Sequence, residues 1–424
     1  MHSAMNIGMG ACARHGLLGL PMAFVAIPLY VLLPEHLGRS LGLPLAWLGL
    51  SLMLARLADA AIDPWLGRWA DRLLQAGLAL GVLGLFFPPL GWLGAAPGAM
   101  GSTAASTQVT PAIPVLAWLL GAMVWTFLSY SLAQVLYLAW GTRLGGDLPT
   151  RARIVAWREG WGLLGVVMAN VLALQLGLAV ACGVLALTLA LGVVLVCTGP
   201  RPAWGGASQP GHARVQPWQQ PAFRALMAVY LLNGVAAAVP ATLVMFFVGD
   251  VLLAREQAPW CLAAYFLAAA LSVPLWTRLI ARWGAWRAWA AGMALSVPPF
   301  LVVLALGPGD VPLYLGVCVV CGLALGADLT APGTLLTGVV RQSGHANGGE
   351  GAYAGWWHWG AKLNLALAAG LALPALQLLG YQPGLRSPQG LLALAAVYGL
   401  LPCGFKLLAL AVGWRHRQLL AAAT

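Results

Sequence analysis

Two aspartates stand four residues apart in the stretch Ala55-Arg56-Leu57-Ala58-Asp59-Ala60-Ala61-Ile62-Asp63-Pro64, near the end of an apolar run. A carboxylate facing lipid at such a depth costs about 2.5–3.5 kcal/mol on insertion scales. A chain that keeps Asp59 there has a use for it. The i, i+4 spacing puts Asp59 and Asp63 on one helix face, where they can share a cation or a proton. A static ion pair, Asp59 with Arg56 or Asp63 with Arg68, is the structural alternative. Other polar side chains stand in equally apolar surroundings. Lys362 ends the run Trp356-Trp357-His358-Trp359-Gly360-Ala361-Lys362, and a buried lysine needs a counter-charge that the second half of the chain supplies sparingly. Asp328 lies mid-span in Gly326-Ala327-Asp328-Leu329 and is expected to face a cavity or cap a broken helix. Arg158 and Glu159 are adjacent, either a substrate contact or a cytoplasmic-side network. His358 can titrate, donate to a substrate or simply pack, and Trp357 offers a face on which a sugar ring can stack.

These residues need a scaffold, and composition names it. The chain has 424 residues, of which 61% are hydrophobic and only 8% charged. Soluble domains carry roughly 25% charged residues. The apolar runs are long and rich in Leu and Ala, which excludes the short alternating segments of a membrane β-barrel. The expected fold is an all-α membrane protein with room for about a dozen spans of ~20 residues. The net charge of +11 does not point to nucleic acid, because the basic residues are scattered singly through loops. Arg39, Arg255 and Arg386 fall on one side and most others on the opposite side, which puts both termini in the cytoplasm. No cleavable signal pattern is visible, so the first apolar segment reads as a retained span. Of the seven cysteines, Cys318 and Cys321 form a CxxC, but it sits among Val and Leu and reads as packing.

The expected spans run near 14–34, 42–63, 73–95, 112–142, 153–177, 179–198, 219–249, 258–280, 286–307, 311–340, 351–379 and 388–413. Gly199 to Gln220 is rich in Gly, Pro and polar residues and follows the sixth span. The chain thus divides into an N-terminal six-helix half, 1–198, a cytoplasmic linker, 199–218, and a C-terminal six-helix half, 219–424. Between the second and third spans, Asp63-Pro64-Trp65-Leu66-Gly67-Arg68-Trp69-Ala70-Asp71-Arg72 reads as a gate loop. Pro64 is expected to limit the helix and Gly67 to permit a tight turn. Arg68, Asp71 and Arg72 can pair with helix ends across the cytoplasmic face, with Arg56 counted among the gate charges.

The 6+6 layout is that of the major facilitator superfamily, with pseudosymmetric halves around a midplane site. Arg56, Asp59, Asp63 and Pro64 match in type and spacing the helix 2 signature of the glycoside–pentoside–hexuronide:cation symporters, the melibiose-permease-like family. Ala139-Trp140-Gly141-Thr142-Arg143 through Arg151-Ala152-Arg153-Ile154-Val155-Ala156-Trp157-Arg158-Glu159 resembles that family's helix 4–5 connection, and Glu350 through Lys362 its helix 11. The resemblance covers essentially the whole chain. It implies that Asp59 and Asp63 bind the coupling cation, with Ser131 placed beside them, that Lys362 is their partner, and that Arg158 contacts substrate.

Two departures modify what the resemblance implies. Sugar-transporting members hold sugar hydroxyls with acids on helices 1 and 4; helix 1 here has none, and helix 4 offers Tyr130, Gln134 and Tyr137. The substrate is then less hydroxylated, or is held by those three residues. Sodium-using members carry an Asn directly before the second Asp, where this chain has Ile62. Sodium needs several oxygen ligands, whereas a proton needs one carboxylate, so H⁺ is favoured over Na⁺ at Asp59 and Asp63. The expectation is a symporter of a sugar, glycoside or related small solute in a bacterial-type inner membrane. It would be monomeric and would need no cofactor. A lysolipid or amphiphile carrier of the same fold is the alternative. No HExxH, nucleophile elbow or phosphate loop supports an enzyme.

Overall fold

A computed structural model describes residues 9–27, 31–40, 44–69, 113–143, 157–158, 160–162, 164–169, 172–198, 216–345 and 350–422. Almost all of these residues are helical. The chain packs as two units, one of Met1–Gly42 and Ala58–Ser208, the other of Leu43–Leu57 and Gln209–Thr424.

In the first unit the opening segment is broken. Where one helix over 14–34 was expected, α1 spans Met9–Gly16, α2 Gly19–Ile27 and α3 Leu33–Ser40. Pro21 stands in the first turn of α2, just after the turn at 17–18, and Pro34 in the first turn of α3; each removes a backbone donor, while Pro28 lies outside the described residues. The next helix, which belongs to the second unit up to Leu57 and to the first from Ala58, departs in the opposite sense: α4 runs from Leu45 to Trp69 and passes through Pro64, which was expected to end it. In a membrane helix a freed carbonyl can be satisfied by neighbouring groups, so proline does not force a stop. Two more long helices are described in the first unit, α5 at Ile113–Arg143 and α6 at Leu178–Cys197, with shorter helical stretches between 157 and 176. The expected third span and the 199–215 linker segment lie outside the described residues.

The second unit is a six-helix bundle: α7 Pro221–Phe246, α8 Ala258–Trp283, α9 Ala285–Val302, α10 Val311–Gln342, α11 Glu350–Leu378 and α12 Pro388–Arg415, followed by a short α13 at Arg417–Ala422. Among the described residues these six are long and apolar enough to cross a membrane. Their ends follow from local chemistry. Pro221 and Pro388 open α7 and α12, where a missing N–H costs nothing. Ser387 caps α12 by accepting from the Gly390 N–H at 3.1 Å. Gly284, at φ 83°, makes the turn between α8 and α9 that a side chain would strain.

Packing then fixes where α10 stands. It packs against α8 and α9, while α7 packs against α11 and α12. Gly322 and Gly326 form a small-xxx-small seam on α10. A Cβ at Gly326 would lie 2.0 Å from Ser272 Oγ, and one at Gly322 would lie 2.3 Å from the Tyr265 carbonyl oxygen. From the other side, a Cβ at Gly292 of α9 would meet the Ala327 Cβ at 2.4 Å. Close backbone approach on two sides therefore holds the turn that carries Asp328.

Candidate functional site

Asp59 is buried on α4, only 4% exposed, within a helix rich in Leu and Ala. Arg56, one turn earlier, is 3% exposed, and its Nη1 donates to the backbone carbonyl of Leu365 on α11. The first half of α4 packs tightly on that helix. Ala46 N–H donates to Gln377 Oε1 at 2.6 Å, and Gly49 admits the Ala369 carbonyl where a Cβ would sit 2.7 Å from it. One donor of the guanidinium is thus engaged with α11. Leu365 is three residues past Lys362, so Arg56 meets α11 one turn from that lysine. Asp63, Gly67 and Arg68 fall in the last turns of α4, but their side chains lie outside the described residues, as do Asp71 and Arg72 altogether.

Helix α5 brings part of the predicted polar set together. Ser131 is 3% and Tyr130 7% exposed, and exposed Gln134 donates its Nε2 to the Tyr130 hydroxyl at 2.6 Å. Tyr137 is committed elsewhere in the unit: its hydroxyl donates to the carbonyls of His15 and Gly16, each at 3.1 Å, and its ring lies 4.9 Å from that of His15. Arg158 lies in a helical segment packed on α2, where a Cβ at Gly19 would come within 2.6 Å of its carbonyl oxygen. Glu159, the other member of that alternative, is outside the described residues.

On α11, Lys362 is half-buried and His358, one turn earlier, is exposed. Trp357 is stacked on Tyr230 of α7, with ring centroids 3.7 Å apart and planes 22° apart. One of its faces is therefore taken by a protein ring. The same helix face carries Gly360 against Tyr230 and Asn364 against Gly234. Buried Asn364 donates its Nδ2 to the Tyr230 carbonyl at 3.5 Å.

Asp328 has the most fully defined surroundings. Helix α10 is unbroken through it, so it caps nothing. Its Oδ1 accepts from Asn233 Nδ2 at 2.9 Å and from Trp289 Nε1 at 2.7 Å. Its Oδ2 is 3.6 Å from Lys406 Nζ, and that ammonium donates to Asn233 Oδ1 at 2.9 Å. One carboxylate thus ties α7, α9, α10 and α12 together. Asn233, Trp289 and Lys406 were not anticipated. A signal existed for Lys406, a charged residue mid-way along an apolar span. None existed for Trp289, one of 20 tryptophans.

The architecture agrees with known carriers. The structure is similar to a mutant form of the nucleoside transporter NupG, with a TM-score of 0.66 and 13% identity over 97% of this chain and 99% of that one. It is also similar to a D-xylose–proton symporter, with a TM-score of 0.61 and 14% identity over 96% of this chain and 97% of that one. In sequence, 132 residues are 26% identical to the Homo sapiens sodium-dependent lysophosphatidylcholine symporter 1; they make up 30% of this chain and 24% of that protein. The family model described as MFS/sugar transport protein matches residues 14–417. Charged side chains held inside apolar helices, the fold and this nearly full-length match lead to one conclusion: the chain belongs to the MFS/sugar transport protein family and is a multi-pass membrane transporter of the major facilitator fold.

Proposed function

We propose that the chain is a proton-coupled symporter of a small polar organic solute, a sugar, glycoside or related compound, working by alternating access between its two halves. The observation that carries this reading is Asp59, a carboxylate held 4% exposed in an apolar helix with Asp63 one turn further on. Such a pair takes up and gives up a cation at a cost that a static scaffold would avoid. Asp59, Asp63 and Ser131 bind the coupling ion. Lys362 and Arg56 are the cations that answer a change in their charge. Ile62 removes the amide oxygen that sodium would use, which favours the proton. Arg158, Tyr130 and Gln134 hold the solute. Trp357 supplies an aromatic wall whose geometry Tyr230 fixes. The chain sits in a bacterial-type inner membrane as a monomer with both termini in the cytoplasm.

A second reading has its own support. The stretch similar to a symporter named for lysophosphatidylcholine, together with a first helical segment free of acids over Leu17–Tyr30, favours an amphiphile that asks for fewer polar contacts. A thermal-shift screen of purified protein against hexoses, glycosides, uronates and lysolipids decides between the two. Stabilisation by a water-soluble glycoside or uronate is expected; stabilisation by lysolipid alone favours the second reading. With the stabilising compound in proteoliposomes, a pH gradient drives accumulation. Uptake driven by a sodium gradient at fixed pH, and not by a pH gradient, would refute the choice of ion.

A further inference from the structure

The Asp328 network lies wholly in the second unit, on helices other than α4, and the cation pair of α4 does not account for it. Its geometry is unlike that of a stabilising ion pair. A lysine and a carboxylate joined for strength sit at about 2.7–2.9 Å. Here the good distances, 2.7 and 2.9 Å, go to two neutral donors, and Lys406 stands off at 3.6 Å. Both neutral donors aim at one oxygen, Oδ1. The other oxygen faces Lys406, with no hydrogen bond to it among the described residues.

We propose that Asp328 is a second protonation site, set in the C-terminal half, which takes a proton on Oδ2 while Oδ1 keeps both of its hydrogen bonds. In the protonated acid Oδ1 is the carbonyl oxygen, which still accepts from Asn233 and Trp289. The proton adds to a lone pair of Oδ2 and no bond is broken. The pair passes from net zero to net positive, and only the loose contact with Lys406 is lost. Lys406, 3% exposed, keeps Asn233 Oδ1 but no longer has its counter-charge. An unpaired ammonium in that position is costly, so protonation favours any arrangement of α12 that gives Lys406 another acceptor or water. The network therefore joins a proton to a movement of helices within one half.

The surroundings select a proton over a metal ion. Sodium requires several oxygen ligands. This site offers Asp328 oxygens beside an ammonium, and the nearby amide oxygen is already used by that ammonium. The neighbouring groups are few. Tyr265 on α8 lies within electrostatic reach of Asp328, Cys321 stands two turns before it on α10, and Cys403 adjoins Lys406 on α12. Thiols and phenols are ordinarily neutral near pH 7. Helices α7 and α9 present the neutral Asn233 and Trp289. Helix α11, which also touches α10, carries His358 and Lys362.

The proposal takes its purpose from the proton-driven reading, but its chemistry is tested without substrate or gradient. Infrared difference spectra of purified protein in lipid, recorded on acidification, report protonated carboxylic acids by their carbonyl stretch. One such band is expected in the wild type and absent in Asp328→Asn. Trp289→Phe removes a donor from the same carbonyl oxygen and should move that band to higher frequency. Identical difference spectra for wild type and Asp328→Asn, over the pH range in which both stay folded, would overturn the proposal. If Asp328→Asn does not fold, the Trp289→Phe arm decides alone: every protonated-acid band left in place overturns it. A failed proton-gradient uptake test with this band present would count against the symport reading and not against the site.

Discussion

Asp59 and Asp328 are both carboxylates inside apolar helices, yet they are held in different ways. Asp59 stands with Asp63 on one helix, and the arginine of that helix spends a donor on the backbone of α11. Asp328 is gripped by side chains from three other helices. At the first site Arg56, one turn from Asp59, links that part of α4 to α11. A change at the second is felt at once by α7, α9 and α12. Taken with the two proposals above, one region takes up the ion and the other converts charge into helix movement.

The sharpest way to break this contrast is to unbalance the Asp328 network. Lys406→Met alone takes the cation away from a partly exposed carboxylate and leaves Asn233 Oδ1 without its donor, and should cost about 3 kcal/mol in unfolding measurements. The double variant Asp328→Asn with Lys406→Met removes both charges and should recover most of that loss. A single variant as stable as wild type would mean that the ion pair contributes nothing. A smaller effect tests the seam that positions Asp328. Gly326→Ala puts a Cβ 2.0 Å from Ser272 Oγ, and overpacking of this kind costs about 1–3 kcal/mol. It should weaken the α8–α10 contact, seen as faster amide exchange in those two helices before any in α7. The smallest effect belongs to a position remote from both carboxylates. Ser387→Ala loses the cap of α12 and should lower stability by about 1 kcal/mol with coupling unchanged.

The second unit was the more legible part of the fold. Expected spans at 258–280, 311–340 and 388–413 correspond to α8 at Ala258–Trp283, α10 at Val311–Gln342 and α12 at Pro388–Arg415. Long apolar runs there end at Pro, Gly and Ser with clear capping roles, so composition and punctuation suffice. The first unit is less legible at its prolines: Pro21 and Pro34 stand in the opening turns of α2 and α3, but Pro64 stands inside α4. Proline only removes a donor; whether the helix continues depends on what surrounds the freed carbonyl, which is tertiary information. The site divides along the same line. Asp59, Lys362 and Asp328 announce themselves as ionisable groups in apolar runs. Asn233, Trp289 and Lys406 are far apart in the chain, and only the packing of α10 between α8 and α9 brings Asp328 to them. Lys362 and Lys406 both need a counter-charge where acids are few, and it is Lys406 that stands beside Asp328.

Whether Asp59 takes up the coupling ion is read from solute accumulation in proteoliposomes bearing Asp59→Asn, with thermal unfolding recorded on the same preparation. A folded protein that no longer concentrates solute against its gradient under an imposed pH difference is expected. Accumulation at the wild-type level by that variant would contradict it.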